Sequence, residues 1–213
     1  MADENNNTEK KNKRILKNSL KDRVFRATTM GACVIALVAL IIGAWMYGTS
    51  LADQYIVESL GLAKSAEAIV SKGVDVKSLV SEVMNIYNSL DESQREQTGS
   101  DAYRKRFAKI MESENYLRTI SILHELVTSS DVRDLYLGMY LKEGNRLIYF
   151  CDSDDSEGKW FYPGEWEKVE EREVNMFLNW DGKTELSDIS DTKGYGWMCT
   201  SGSPVYDDDG FCI

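Results

Sequence analysis

From Ala27 to Ala52 the chain reads "ATTMGACVIALVALIIGAWMYGTSLA", 26 residues without one charged side chain. A helix needs about 20 apolar residues to cross the hydrocarbon core of a bilayer, so this run constrains the chain more than any other feature. Charge orients it. Of the 25 basic and 35 acidic residues, eight and four precede the run and leave the tail at +4; the 17 and 31 that follow carry −14. By the positive-inside rule the basic tail, residues 1–26, stays in the cytoplasm, a span of 27–48 crosses the cell membrane once, and residues 50–213 lie outside. Trp45 and Tyr47 fall where an interfacial aromatic belt is expected. A cleaved signal peptide is the competing reading, with Ser50 and Ala52 as small residues at the cleavage position. The 26-residue basic region and the long apolar run both exceed what such peptides carry. Under either reading the main domain is exported. The net charge of −10 excludes a nucleic-acid partner, because phosphate binding needs a basic face.

Beyond the span the chain continues without Pro or a Gly cluster, and Leu51, Tyr55, Leu62, Ala66 and Ile69 recur at helical steps. This predicts one long helix running from the span outward, able to carry a displacement from an outer domain to the membrane. Its apolar stripe serves either the domain's own core or a homodimer contact. Further helices are expected over 75–90, capped by Asp75, from about Asp101, and over 114–127, with "DESQREQTGS" as a connection that could hold a helical turn. After "TSSD" the period changes to two. Leu135, Leu137, Met139 and Leu141 alternate with Tyr136, Gly138 and Tyr140, "KEGN" makes a turn, and "RLIYFCD" returns as a second strand. A helix is expected near 166–178, then a third strand in "YGWMCTSGSPVYD", with Pro204 at an edge or bend, a "DDDG" turn and a fourth strand beginning at "FCI". The fold class is α+β: a transmembrane helix continuing into a long outer helix, then an antiparallel sheet with flanking helices.

Taken together, the basic tail, the span, the long helix, the hairpin "LYLGMY…NRLIYFCDSD", then "PGEW" and "YGWMCTSGSPVYDDDG" resemble the Cache (PAS-like) sensor regions of bacterial membrane signalling proteins, over roughly Leu51 to Ile213. The resemblance implies an extracytoplasmic ligand-sensing module, without catalytic activity of its own. In the family it is held between two spans, the second leading to a kinase, cyclase, phosphatase or chemoreceptor output. It also implies a sheet of order 2-1-5-4-3, whose fifth strand here would be "FCI" plus residues beyond it, so the sequence is expected to be a fragment of a longer protein. The ligand pocket of such a module lies between the sheet and the segment after the second strand, here "DSDDSEGKWFYPGEWEKV". Residues expected to face it are Tyr140, Asp152, Trp166, Trp197 and Thr200, and the expected partner is a small molecule. Amino-acid-binding members carry Arg before an aromatic pair, where this chain has Lys159 in "GKWFY".

Other chemistries fit less well. "LHELVTS" around His124 resembles a histidine-kinase phosphoacceptor box but lacks the basic residue and proline expected after it, and it lies outside the membrane; His124 reads as a surface-helix residue. An EF-hand starting at Asp152 would want Gly and Glu at its sixth and twelfth positions, where Glu157 and Pro163 stand. No metal and no cofactor is expected. Cys199 and Cys212 would lie six residues apart along a hairpin, about 20 Å at strand rise, and Cys151 two strands from Cys212, so Cys33, Cys151, Cys199 and Cys212 read as free thiols. Two rival functions remain: an exported adhesion or structural domain on a signal anchor, and an extracytoplasmic hydrolase, for which no carboxylate pair stands out.

Overall fold

A computed structural model describes residues 2–154, 160–180, 186–192 and 196–206, with side chains from residue 19 onward except that of Thr192. The expected strand at Phe211–Ile213, the Asp207–Asp209 turn, Cys212, and Asp155, Glu157 and Lys159 of the acidic loop lie outside these residues. The chain divides into two compact units, Met1–Leu51 and Ala52–Ile213.

The first unit is helical. Helix α1 spans Ala2–Gly73, with no break at the end of the charge-free run. It is long and apolar enough to cross a membrane. Val34, Ile35, Leu40 and Ile41 are all exposed along it, a surface compatible with a membrane anchor.

In the second unit the last turns of α1 bury Leu60, Ala63, Ala66 and Val70. This corrects the expected stripe: Ala66 belongs to it, but Tyr55 and Ile69 are 53% and 45% exposed. At 100° per residue the row 55-62-69 points about a quarter turn away from the buried row. The domain takes the face whose small residues, Ala63 and Ala66, allow close approach.

Three helices follow, each started by a side-chain cap. Asp75 accepts the Ser78 N–H ahead of α2 (Val76–Ser89), Ser100 that of Tyr103 ahead of α4 (Asp101–Met111), and Ser113 that of Tyr116 ahead of α5 (Glu114–Thr128). Between them the expected helical turn is α3 (Glu92–Arg95), closed by a reciprocal Asp91/Gln94 capping box. Leu79, Val83 and Tyr87 of α2, Phe107 of α4 and Leu123 of α5 form the core with Ile148 and Phe150 of the sheet.

Strands β1 (Tyr136–Leu141) and β2 (Arg146–Asp152) pair antiparallel, with a bulge between Leu137 and Gly138. Their turn uses Gly144 and Asn145, both at positive φ. The β2 strand is buried along its length, so both faces of the hairpin are covered, as its alternation predicts. Two elements depart from expectation. Residues 166–168 form strand β3 (Trp166–Lys168), which pairs with β2 on the edge opposite β1, and only Glu171–Leu178 is helix, α6. Leu186–Thr192 forms a strand, β4, that the sequence did not announce; it pairs with β5 (Gly196–Gly202), the expected third strand, in a separate two-stranded sheet. The order β1-β2-β3 puts β2 in the middle, whereas a PAS-like order leaves the second strand at an edge.

Helix α4 and the α3 turn fix the segment that leads into β3. The Tyr103 hydroxyl donates to the Gly164 carbonyl at 2.6 Å, and Arg104 Nε donates to Glu165 Oε1 at 2.7 Å. The Trp166 indole N–H donates to the Arg95 carbonyl at 2.9 Å, and its backbone N–H to Thr98 Oγ1 at 3.3 Å. Only glycine fits at 164: its φ is +79°, and a Cβ there would sit 2.2 Å from the Phe107 ring.

Candidate functional site

The two faces of the β1-β2-β3 sheet differ in chemistry. Leu137, Met139, Ile148 and Phe150 pack into the helical core. By the two-residue period, Tyr136 and Tyr140 of β1, Tyr149 of β2 and Glu167 of β3 take the opposite face. Helix α6 covers it, contributing Glu173 and Phe177. The Tyr149 hydroxyl donates to Glu167, and the Tyr140 hydroxyl donates to Glu173 at 2.8 Å. Tyr140 stacks on Phe177 with ring centroids 4.4 Å apart, Tyr149 on Phe161 at 4.0 Å, and Tyr136 meets Tyr149 edge-on at 5.1 Å. Gly202 of β5 backs the cluster: a Cβ there would lie 2.6 Å from the Phe177 ring.

Burial shifts the titration of these groups. It pushes the Tyr136 phenol up to about 12 and those of Tyr140 and Tyr149 further, with nearby acids adding to the shift. Burial also raises Glu173, against the Tyr140 hydrogen bond that lowers it. Phenols held protonated are hydrogen-bond donors, not bases, and the Cys151 thiol, raised by burial in the core, is no nucleophile at neutral pH. The face gathers aromatic rings, hydroxyl groups and carboxylates beneath α6.

The residues expected to line one pocket are distributed over the domain. Tyr140 lies on the tyrosine face. Asp152, at the end of β2, is linked to that face through Phe161, whose N–H it accepts at 2.9 Å. Thr200 pairs with Asp188 in the β4-β5 register and shares its face with Gly202. That face adjoins α6, through the Gly202–Phe177 contact and the Arg172–Asp188 ion pair. Trp166 sits elsewhere, on the helix side, beneath the Arg146 guanidinium at 4.1 Å. Trp197 is 76% exposed and points to the other side of the β4-β5 hairpin, with Cys199 and Ser201. Ser201 Oγ lies 2.7 Å from Ser59 Oγ of α1. His124 is exposed on α5, beside an open groove lined by Ile120, Ser121 and Thr128. Cys33, Cys151 and Cys199 are free thiols, and among the described residues no group of acids, cysteines and histidine could hold a metal.

Sequence reasoning missed Tyr136, Tyr149, Phe161, Glu167, Glu173 and Phe177. A signal for two of them was present: Tyr136 alternates in step with Tyr140, and Tyr149 falls one strand away on the same face. The chain matches no protein-family model, no curated protein and no solved structure.

Proposed function

We propose that the chain is the ligand-sensing input segment of a membrane-bound signal-transduction protein. Its basic tail lies in the cytoplasm, α1 crosses the membrane, and the domain from residue 52 onward samples the outer compartment. The observation that carries the reading is the tyrosine face: three phenols, two further rings and two carboxylates gathered at α6. Such a surface can bind and orient a small molecule, and both of its carboxylates are engaged by tyrosine hydroxyls. The continuity of α1 beyond the charge-free run supports the second half of the reading, since a helix shared by membrane and domain can pass on a displacement.

The test is ligand-induced thermal stabilisation of the whole chain in detergent, screened against small metabolites with product analysis in parallel. A ligand at 100 times its dissociation constant adds about 2.7 kcal/mol. We expect stabilisation without turnover, lost in Glu173→Gln and Tyr149→Phe while the unliganded melting temperature moves little. Stabilisation that survives both substitutions would place the site elsewhere, and product formation would replace the sensor with a hydrolase.

A further inference from the structure

Asp152 ends β2 with its side chain turned inward, 7% exposed. Each carboxylate oxygen accepts a backbone N–H: Oδ1 from Asp154 at 3.0 Å and Oδ2 from Phe161 at 2.9 Å. Phe161 in turn lays its ring on Tyr149, the planes within 3° of parallel. One buried carboxylate therefore ties the end of the central strand to a residue nine positions on, and seats a ring on the tyrosine face. A carboxylate accepts strongly at both oxygens, but a carboxylic acid keeps one good acceptor and turns the other oxygen into a donor. We propose that Asp152 is a proton-operated clamp: uptake of one proton frees one of its two amides, loosens the seat of Phe161 on Tyr149, and couples the tyrosine face to the acidity of the surrounding medium.

The surroundings of Asp152 favour proton uptake near neutrality. Burial raises its carboxyl to about 6 against the pull of the two amides, and the like charges of Asp134, ahead of β1, and Asp154 add to the rise. Arg133 pairs with Asp134 at 3.2 Å. The other titratable groups that interact with it are Tyr116 from α5, Cys151 beside it on β2, and Tyr136 and Tyr149 on the sheet. All four are raised above their ordinary values by burial and stay neutral when Asp152 titrates. Glu167 and Glu173 accept from the Tyr149 and Tyr140 hydroxyls. The clamp stands whether or not the face binds a ligand.

The chain has six phenylalanines, so selective ¹⁵N-Phe labelling of the whole protein in detergent gives a spectrum in which the Phe161 amide can be assigned by its loss in Phe161→Leu. We expect its proton shift to titrate with a midpoint near pH 6, and its protection against hydrogen exchange, corrected for intrinsic pH dependence, to fall at least tenfold below that midpoint. Asp152→Asn should abolish the titration. A Phe161 amide that does not titrate between pH 5 and 7.5, that titrates unchanged in Asp152→Asn, or that keeps its protection through the transition overturns the proposal. If Asp152→Asn fails to fold, Asp134→Asn decides: removal of a like charge must lower the midpoint, and an unmoved midpoint overturns the clamp.

Discussion

Arg146→Met should destabilise the unit from Ala52 onward far more than removal of either acid that pairs with this arginine. Arg146 is 7% exposed. Its guanidinium donates to the Tyr87 hydroxyl at 3.1 Å, lies over the Trp166 ring at 4.1 Å and pairs with Glu92 and with Glu96, the latter at 2.9 Å. The partners are asymmetric. Tyr87 is 1% exposed, so its hydroxyl, deprived of the guanidinium, stays dry; an unsatisfied buried group costs about 1–3 kcal/mol. The lost cation–π contact adds about 0.5–2 kcal/mol. Methionine restores the apolar volume of the arginine stem and offsets part of this, which leaves about 2 kcal/mol. For a domain of this length that lowers the melting temperature by about 4–8 °C. The carboxylates of Glu92 and Glu96, with side chains 59% and 57% exposed, return to water when the arginine is gone. Glu92→Gln and Glu96→Gln should each melt within error of the parent, because the remaining acid still neutralises the guanidinium. The double substitution leaves the guanidinium without either acid and should approach Arg146→Met. Circular-dichroism melts of the four variants in one detergent make the measurement. A shift below about 2 °C for Arg146→Met, or a single glutamate substitution as damaging, would refute the asymmetry.

Gly164→Ala meets both the Phe107 ring and a left-handed backbone, costs of about 1–3 and 1–2 kcal/mol, and should lower the melting temperature by at least about 4 °C where Gly61→Ala, which meets nothing within 4 Å, does not. Asp152 has a folded pKa of about 6 against an ordinary 3.8, so its contribution to stability is full below pH 3.8 and is lost as pH rises through about 6. Urea titrations should show a decline of up to about 3 kcal/mol across that window, reduced in Asp152→Asn. A cysteine placed at Asn6 should resist a membrane-impermeant thiol reagent in intact cells while one at Ser93 reacts above the native background; labelling at position 6 alone would invert the topology.

Much of the helical framework was legible because its signals are local. Asp75, Ser100 and Ser113 each cap a helix three residues ahead of the N–H they accept, and the period change after "TSSD" marks β1 and β2. Strand β4 was illegible because "LSDISDT" has no alternating apolar row: Leu186 and Ile189 are three apart, and the strand exists through its pairing with β5. Residues 166–168 read as helix because their neighbours are acidic and uninterrupted, yet the bonds from Trp166 to Arg95 and Thr98 hold them extended, and neither partner can be guessed from spacing. The candidate site was half legible for the same reason. Tyr140 and Asp152 were expected from the resemblance, and Tyr140 also from its place in the β1 alternation, but Glu173 and Phe177 reach the face only because α6 folds across β1, a placement no local pattern encodes.

The pins on the Pro163–Trp166 turn have a kinetic side. The Tyr103–Gly164 and Arg104–Glu165 bonds each span 61 residues, and the two from Trp166 span 68 and 71. Closing a loop of that size costs about 2.4 kcal/mol more chain entropy than closing a four-residue turn. The first pin bears that cost alone. Once it forms, the other three close loops whose ends already meet, so the turn is gained or lost as a set. Helices α2, α4 and α5 instead take their caps from side chains three residues ahead of the N–H they accept, a local closure with little loop cost. The turn, β3 and the approach to the tyrosine face are therefore expected to order together, once α4 and the α3 turn are both in place to receive them.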